Sequence, residues 1–341
     1  MQVSLTNYII NSPSQPTVPQ RGPALPNPDG SRPSKPSWIR APLPAGGAYT
    51  RMKAIVDEHA LHTVCQSAAC PNIGECWNRG AATFMILGNI CTRNCGFCNV
   101  ATGRPLPVDR DEPYRIARAM QLMHVRYAVI TSVNRDELPG RGSDIWAETI
   151  RQVRLACPQI VLETLIPDYS GDELTCVLRA HPGEGYSGPA HVGVDGCGPD
   201  VLAHNLECVP RISRVVRAQS KHEKSIRTLR EAKQHGFVTK TGLMLGLGET
   251  HAEVREVIDE AVSVGVDILT LGQYLQPSPG HLRVERFCEP AEFEELKRYA
   301  LGAGIRACEA GPMVRSSYYA ENTGQEVLAL IGRLPAAAST A

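Results

Sequence analysis

The sequence carries no net charge: 35 Lys and Arg balance 35 Asp and Glu over 341 residues, and no basic block stands out along the chain. Nucleic-acid and membrane-surface binding need such a block, so neither a nucleic acid nor a membrane is an expected partner. A balanced average still leaves room for a local basic patch facing an acidic protein. Also missing is any run of the roughly 20 apolar residues that a membrane span requires. The N-terminus, MQVSLTNYIINSPSQPTVPQ, has neither the basic n-region nor the long apolar h-region of a secretory signal, and it is not Arg-rich and amphipathic like a mitochondrial transit peptide. The expected compartment is the cytoplasm. In that reducing setting cysteine clusters are expected to serve metals or chemistry rather than disulfides.

What the chain does have is apolar material, 43% of its residues, which suits one large globular domain or a barrel with extensions. Residues 1–36 are the exception. They are rich in Pro, Ser, Asn and Gly, with few large apolar groups to offset the entropy of ordering, and read as a disordered leader. Order is expected to begin near Trp38, Ile39 and Leu43, followed by a short helix over 50–60. From Ala82 onward, apolar runs of strand length recur at 82–88, 127–133, 161–167, 200–206, 240–247 and 266–274. Between them lie stretches of helical period, among them PYRIARAMQLMH, SDIWAETIRQVRLA, EKSIRTLREAKQHG and HAEVREVIDEAVSVG. Near-continuous apolar strands separated by amphipathic helices predict a parallel α/β sheet. Six such units fit an incomplete (β/α) barrel or a doubly wound sheet, and periodicity does not choose between them. The Gly- and Pro-rich segment 180–198 breaks the rhythm and reads as a loop or insertion.

Half of the 12 cysteines are crowded into two triplets. CTRNCGFC places Cys91, Cys95 and Cys98 in C-x3-C-x2-C spacing just after the first predicted strand. Three thiolates on one tight loop can hold three irons of a 4Fe-4S cube, and a full protein set would be four, so the fourth iron stays open to an external chelator. Structural zinc is the competing reading. It usually closes its shell with a fourth Cys or His, often in a second C-x2-C pair, and none is present. Placement at the carboxyl end of a parallel strand also favours a reactive site. The second triplet, Cys65, Cys70 and Cys76 in CQSAACPNIGEC, has the looser C-x4-C-x5-C spacing. Alone it could be a few buried thiols. Cysteines 157, 176, 197, 208, 288 and 308 are scattered and read as ordinary buried thiols, with exposure as the alternative for Cys197 in its irregular segment.

The 91–98 loop resembles the signature of the radical S-adenosylmethionine (SAM) superfamily. Together, LHTVCQSAACPNIGECW leading into ATFMILGNICTRNCGFCNVATGRP resembles the lipoyl synthase family. ITSVNRDELPGRG, LETLIPDYSGD, DVLAHNLECVPRI, KTGLMLGLGET, VDILTLGQYLQPS and GPMVRSSYYAEN follow in the family's order, so the likeness runs from about Trp38 to Asn322. It implies a partial (β/α)6 TIM-like barrel with N-terminal and C-terminal extensions covering the barrel mouth. The corresponding parts are a leader at 1–36, an N-terminal extension at 37–80 carrying the auxiliary cysteines, the barrel at 81–305 and a C-terminal extension at 306–341.

The resemblance further implies an enzyme, a sulfurtransferase that inserts two sulfur atoms at carbons 6 and 8 of an octanoyl chain held on a lysine of a lipoyl carrier protein or domain. Two 4Fe-4S clusters and SAM are the implied cofactors. Cys91, Cys95 and Cys98 would hold the SAM-binding cluster; Cys65, Cys70 and Cys76 would hold an auxiliary cluster that gives up its sulfur. The family's fourth auxiliary ligand is a serine of an R-S-S-Y motif, here assigned to Ser317 with Ser316 as fallback; an alkoxide is harder than a thiolate and more readily displaced. Without the resemblance, serines there would read as helix caps. Reduced ferredoxin or flavodoxin as electron donor and an iron–sulfur carrier that rebuilds the spent cluster are implied partners. For SAM itself, Asn205 and Glu207 are candidates for the ribose and Arg217 for the methionyl carboxylate, each with an alternative as a strand-end polar residue. GLMLGLGE at 242–249 offers glycines for close backbone approach without the Lys-Ser/Thr ending of a phosphate loop. His62 and His204 are expected to be structural. The competing functions are another double-cluster sulfur-inserting radical SAM enzyme and a non-catalytic iron–sulfur or zinc module. The sequence departs from the family pattern at Asn99 and Asn134, where Asp is common, at Tyr319, where His is usual, and in the longer 180–198 segment.

Overall fold

The computed structural model describes residues 20–21, 35–41, 43–79, 81–123, 125–181, 196, 198–217 and 219–332. Most of the predicted leader, most of the 180–198 segment and Cys197 fall outside these residues.

The chain enters through α1 (Gly47–Glu58), a two-residue strand β1 (His62–Thr63) and the short helices α2 (Val64–Ser67) and α3 (Ile73–Asn78). β2 (Thr83–Ile86) then opens the alternation, and β3 (Ile90–Cys91) pairs with β4 (Ala101–Thr102) as a separate ladder that closes the base of the 91–98 loop. α4 (Glu112–Leu122), β5 (Tyr127–Ser132), α5 (Ser143–Ala156), β6 (Val161–Leu165), α6 (Asp172–Leu178) and β7 (Val201–Ala203) follow. After α7 (Pro210–Val216) and α8 (His222–Gln234) come β8 (Val238–Leu245), α9 (His251–Ser263), β9 (Ile268–Gln273), α10 (Pro290–Ala303), β10 (Ala307–Gly311) and α11 (Ala320–Leu330). Local chemistry fixes several ends. Thr250 and Glu253 form a reciprocal capping box on α9, and Pro290 supplies the first turn of α10, where a missing N–H costs nothing.

The strands form one eight-stranded sheet in the order β1-β2-β5-β6-β7-β8-β9-β10, parallel except for β1. The order runs with the chain and never reverses, whereas a doubly wound sheet has a reversal point. The doubly wound alternative is therefore excluded. The sheet winds as a barrel does and stays open between its first and last strands. All six expected strands are present; β1 and β10 were not expected and lengthen the sheet at each edge.

Alternate residues of a strand face opposite sides, and β5 shows the division. Ala128 and Ile130 pack with α4 and α5 in the outer core, while Tyr127 and Val129 join Val161, Val201, Val238, Ile268 and Ala307 on the inner face. That inner face is covered by Ala320, Val327 and Leu328 of α11. Gly324 is required there, since a Cβ would come within 2.1 Å of the Tyr127 hydroxyl. A second outer core gathers α7 to α10 over β8 and β9. The inner face also holds charge. Lys240 Nζ donates to both Glu163 oxygens at 2.9 and 3.0 Å, Tyr127 donates to Glu163 at 2.7 Å, and Lys240 and Glu163 are each 1% exposed. Such an ion pair survives burial only because its members satisfy each other.

Candidate functional site

A cavity of about 560 Å³ opens where the strands end, at their carboxyl side. Ligand sites of parallel α/β sheets lie at that edge, and the volume is within the roughly 300–1,000 Å³ of small-molecule pockets. All six clustered cysteines line it, together with Asn205, Glu207, Arg217, Ser316 and Ser317. Residues as far apart in sequence as Cys65 and Ser317 thus line one cavity.

The 91–98 loop is pinned on every side. Cys91 Sγ accepts backbone N–H groups of Arg93 at 3.4 Å and Asn134 at 3.3 Å. Gly96 N donates to the Val216 carbonyl at 3.0 Å, and Leu282 N donates to the Gly96 carbonyl at 3.0 Å. His281 Nε2 donates to the Cys98 carbonyl at 3.0 Å. The main fastening is Arg93, whose guanidinium takes both Asp136 oxygens at 2.6 and 2.8 Å, the Ser220 hydroxyl at 2.6 Å and Asp168 at 2.9 Å. Asp136 follows β5 and Asp168 follows β6, so one side chain ties the loop to two strand ends. The hydrogen bonds from Arg93 hold the Asp136 carboxyl below its usual range. Burial alone would raise Asp168, yet Arg93, Lys224 and Arg141 around it keep it low.

In the other triplet, Cys65 lies on α2, Cys70 follows it, and Cys76 lies on α3. None of the described cysteines is in a disulfide. Burial pushes all three thiols of this triplet upward, Cys76 to about 12, and does the same to Cys98. Metal ligation requires the thiolate, so a bound cation would have to offset that cost of burial. Among the described residues no three His, Cys, Asp or Glu side chains converge on a point as a single metal ion requires. A cube gives each thiolate its own iron, so its ligands need not converge, and three unpaired thiols per loop suit that group.

Ser316 and Ser317 do not cap α11. Its N-cap is Tyr319, without a side-chain cap bond, so the capping alternative fails. Arg315, beside them, is also on the cavity wall.

The proposed SAM contacts are close together. Asn205 Nδ2 donates to Glu207 at 3.3 Å, while the buried Asn205 Oδ1 has no partner. An unsatisfied buried acceptor in a cavity wall is what a ligand hydroxyl or amine would use. Burial lifts the Glu207 carboxyl, opposed by Arg217. Arg217 Nη1 donates to the carbonyls of Leu206 at 2.8 Å and Asn205 at 3.4 Å, so part of its guanidinium is committed to the end of β7. The glycines of GLMLGLGE approach protein rather than leaving an open cradle: a Cβ on Gly246 would lie 2.5 Å from the Arg286 carbonyl, and Glu249 accepts the N–H groups of Gly246 and Leu247. His204 is buried and fully used. Nδ1 donates to the Ile166 carbonyl at 2.9 Å and Nε2 accepts from Ser225 at 2.9 Å, with burial depressing the ring to about 4. Of the scattered cysteines, 208, 288 and 308 are buried and 157 and 176 half-buried.

Sequence reasoning missed Arg93, Asp136, Asp168 and the tie from Asn99 Nδ2 to the Ser67 carbonyl at 2.9 Å that joins the two cysteine segments. Arginine between two proposed ligands and aspartates just past strand ends were the available signals.

Among known families, the Radical SAM superfamily matches over residues 85–261 and the N-terminal domain of lipoyl synthase over residues 4–70. A mitochondrial lipoyl synthase of Nematostella vectensis is 48% identical over 85% of this chain and 95% of its own length. The lipoyl synthase of Flavobacterium johnsoniae is 46% identical over 85% of this chain and 96% of its own, and that of Rubrobacter xylanophilus 44% over 89% and 94%. Among solved structures, a methylornithine synthase superposes with a TM-score of 0.49 at 13% identity, covering 77% of this chain and 76% of that one. Among the described residues no helix is long and apolar enough to cross a membrane.

Proposed function

The chain belongs to the lipoyl synthase family of the radical SAM superfamily, enzymes that insert sulfur in lipoyl formation, and from that membership we propose its reaction in detail. It inserts two sulfur atoms, at carbons 6 and 8, into an octanoyl chain amide-linked to a lysine of a lipoyl carrier protein, with the sulfur drawn from a second, auxiliary 4Fe-4S cluster. One observation carries this reading: both cysteine triplets and Ser316–Ser317 face a single cavity. The residues that would hold a radical-generating group and those that would hold a sulfur source would thus line the same space.

Cys91, Cys95 and Cys98 would hold the first cluster, and Cys65, Cys70, Cys76 and Ser317 the second. When bound, the pair supplies an open iron that takes up SAM and cleaves it reductively to a hydrogen-abstracting radical, and a sulfide donor beside it. The protein's part is placement. Arg93 immobilises the first loop, and the N–H groups of Arg93 and Asn134 hold the Cys91 sulfur in place. Asn205 Oδ1 offers an acceptor for a ribose hydroxyl, with Glu207 beside it; Arg217 presents positive charge to a carboxylate. Val64, Ala68, Phe97, Val100, Leu275 and Pro277 give the cavity apolar walls that suit an alkyl chain and keep water from a reactive centre. Reduced ferredoxin or flavodoxin would supply electrons and an iron–sulfur carrier would rebuild the spent cluster.

The test is chemical. Anaerobic protein should carry about eight irons per chain, about four per cluster. With dithionite, SAM and an octanoylated carrier domain it should yield a dithiolane-bearing lysine by mass spectrometry. SAM cleavage without a sulfurated product would overturn the specific reaction.

A further inference from the structure

From Met313 to Tyr319 the chain crosses from β10 to α11 in turns, outside any sheet or helix. Two ties fasten this crossing, one at each end, and both go to the same short helix, α3. At the first, the buried side chain of Asn72, the N-cap of α3, donates through Nδ2 to the Met313 carbonyl at 2.7 Å. At the second, two phenols converge on one carboxylate. Tyr318 donates to Glu75 at 3.1 Å to each oxygen, and Tyr319 donates to Oε1 at 3.1 Å. Arg79, one turn further along α3, stands 3.7 Å from Glu75 and lies over the Tyr319 ring at 3.9 Å, and it also pairs with Glu321 at the start of α11.

Ser316 and Ser317 lie between these ties. On the other side of the contact, Asn72 is two residues from Cys70, and Glu75 is next to Cys76. The helix that carries Cys76, and that begins just after Cys70, therefore also sets where the hydroxyls stand. We propose that Asn72 and Glu75 are positioning residues for the auxiliary site, holding Ser317 in register with Cys70 and Cys76. This rests on the assignment of Ser317 as the fourth ligand.

The chemistry of Glu75 suits the task. A carboxylate presents two acceptor oxygens, so it can take both phenols at once. The pairing also accounts for a departure from the family pattern. Tyr319 reaches Glu75 where a histidine is usual, and its ring gives Arg79 a face to cover.

The test uses the full chain, reconstituted anaerobically. Its readouts are iron per chain, the Mössbauer and EPR signature of the auxiliary cluster, and SAM cleavage as the measure of the first cluster. Ser317→Ala sets the reference, with iron falling from about eight toward about four per chain while SAM cleavage persists. Glu75→Leu is expected to reproduce that loss, Glu75→Gln to retain most of the auxiliary signal because an acceptor oxygen remains, and Asn72→Asp to lose signal with the donor to Met313. Tyr318→Phe combined with Tyr319→Phe removes only two hydroxyls and replaces Glu75→Leu should that variant fold poorly. If Glu75 acts through Ser317, adding Glu75→Leu to Ser317→Ala causes no further loss. A wild-type auxiliary signature in Glu75→Leu and in the double phenylalanine variant, or additive losses in the combined variant, overturns the positioning role alone. A wild-type signature in Ser317→Ala overturns the ligand assignment and the positioning role together.

Discussion

Asn99 Nδ2 lies 2.9 Å from the carbonyl oxygen of Ser67, joining the segment that follows Cys98 to the helix that carries Cys65. Only a donor works at this position, because the partner is a backbone carbonyl. An aspartate, common in the family at this site, could only accept and would face that oxygen with like polarity. Asn99→Asp should therefore cost more than Asn99→Ala. We expect about 1–3 kcal/mol for the aspartate at neutral pH, and about 1 kcal/mol for alanine, from urea unfolding of the metal-free protein. Equal stability of all three proteins would show that the tie contributes nothing.

Arg93 gives a prediction about one cluster only. Its side chain is 5% exposed and its partners are fixed, so removing it frees a loop and leaves Asp168, 1% exposed, with Arg141 and Lys224 alone. Arg93→Ala should lose SAM cleavage and about half of the iron, with the auxiliary signature intact. Arg93→Lys should rescue little, since an ammonium cannot reproduce the planar fork that takes Asp136 by both oxygens. Normal SAM cleavage in the alanine variant would refute the clamp.

His204 predicts how stability responds to acid. Its ring stays neutral in the fold because burial depresses it from 6.5 to about 4. Below pH 6.5 the unfolded chain takes up a proton that the native ring refuses, so the unfolded state binds more protons and stability falls with falling pH. Over the window from 6.5 down to about 4 the loss is on the order of 3 kcal/mol, at about 1.4 kcal/mol per unit. His204→Asn should flatten that window whatever its effect at neutral pH. Urea midpoints measured across it decide the matter, and an unchanged slope in the variant would assign the acid sensitivity elsewhere.

The sequence was most readable where one local rule dominates. α5 occupies Ser143–Ala156, the whole stretch of helical period marked for it, and β5 fills Tyr127–Ser132 of a β-branched run. β10 escaped because ACEAG has no β-branched or large apolar residue, and its partner β9 defines it as a strand. β7 stops at Ala203, short of the predicted run, and the chain meets β8 again only at an isolated bridge between Glu207 and Leu243. The 91–98 loop was legible as a proposed cluster site from its spacing, whereas the 65–76 triplet took the family resemblance to read as one. Arg93 was not, since Asp136 and Ser220 lie 43 and 127 residues away and nothing local marks a side chain for so distant a pairing. The same holds for Asn72 and Glu75, whose partners stand at the other end of the chain.

Gly272 separates the sheet from the segment that carries the serines. It sits in β9, paired with Met244 of β8 on one side and Gly311 of β10 on the other, and a Cβ there would lie 2.1 Å from the Val314 carbonyl oxygen. Both objects at that contact are backbone, so a side chain cannot simply rotate away. The strand is held by ladders on both edges, whereas Val314 belongs to a crossing held by side-chain ties, so the crossing must yield. Gly272→Ala should cost about 1–3 kcal/mol as overpacking and displace Val314 together with Ser316 and Ser317. The expected signature is selective: auxiliary iron falls and sulfur insertion stops, while SAM cleavage, which depends on the loop at 91–98, continues. Equal loss of both clusters would mean that the strand moved instead, and no loss would mean that the contact is looser than the backbone positions require.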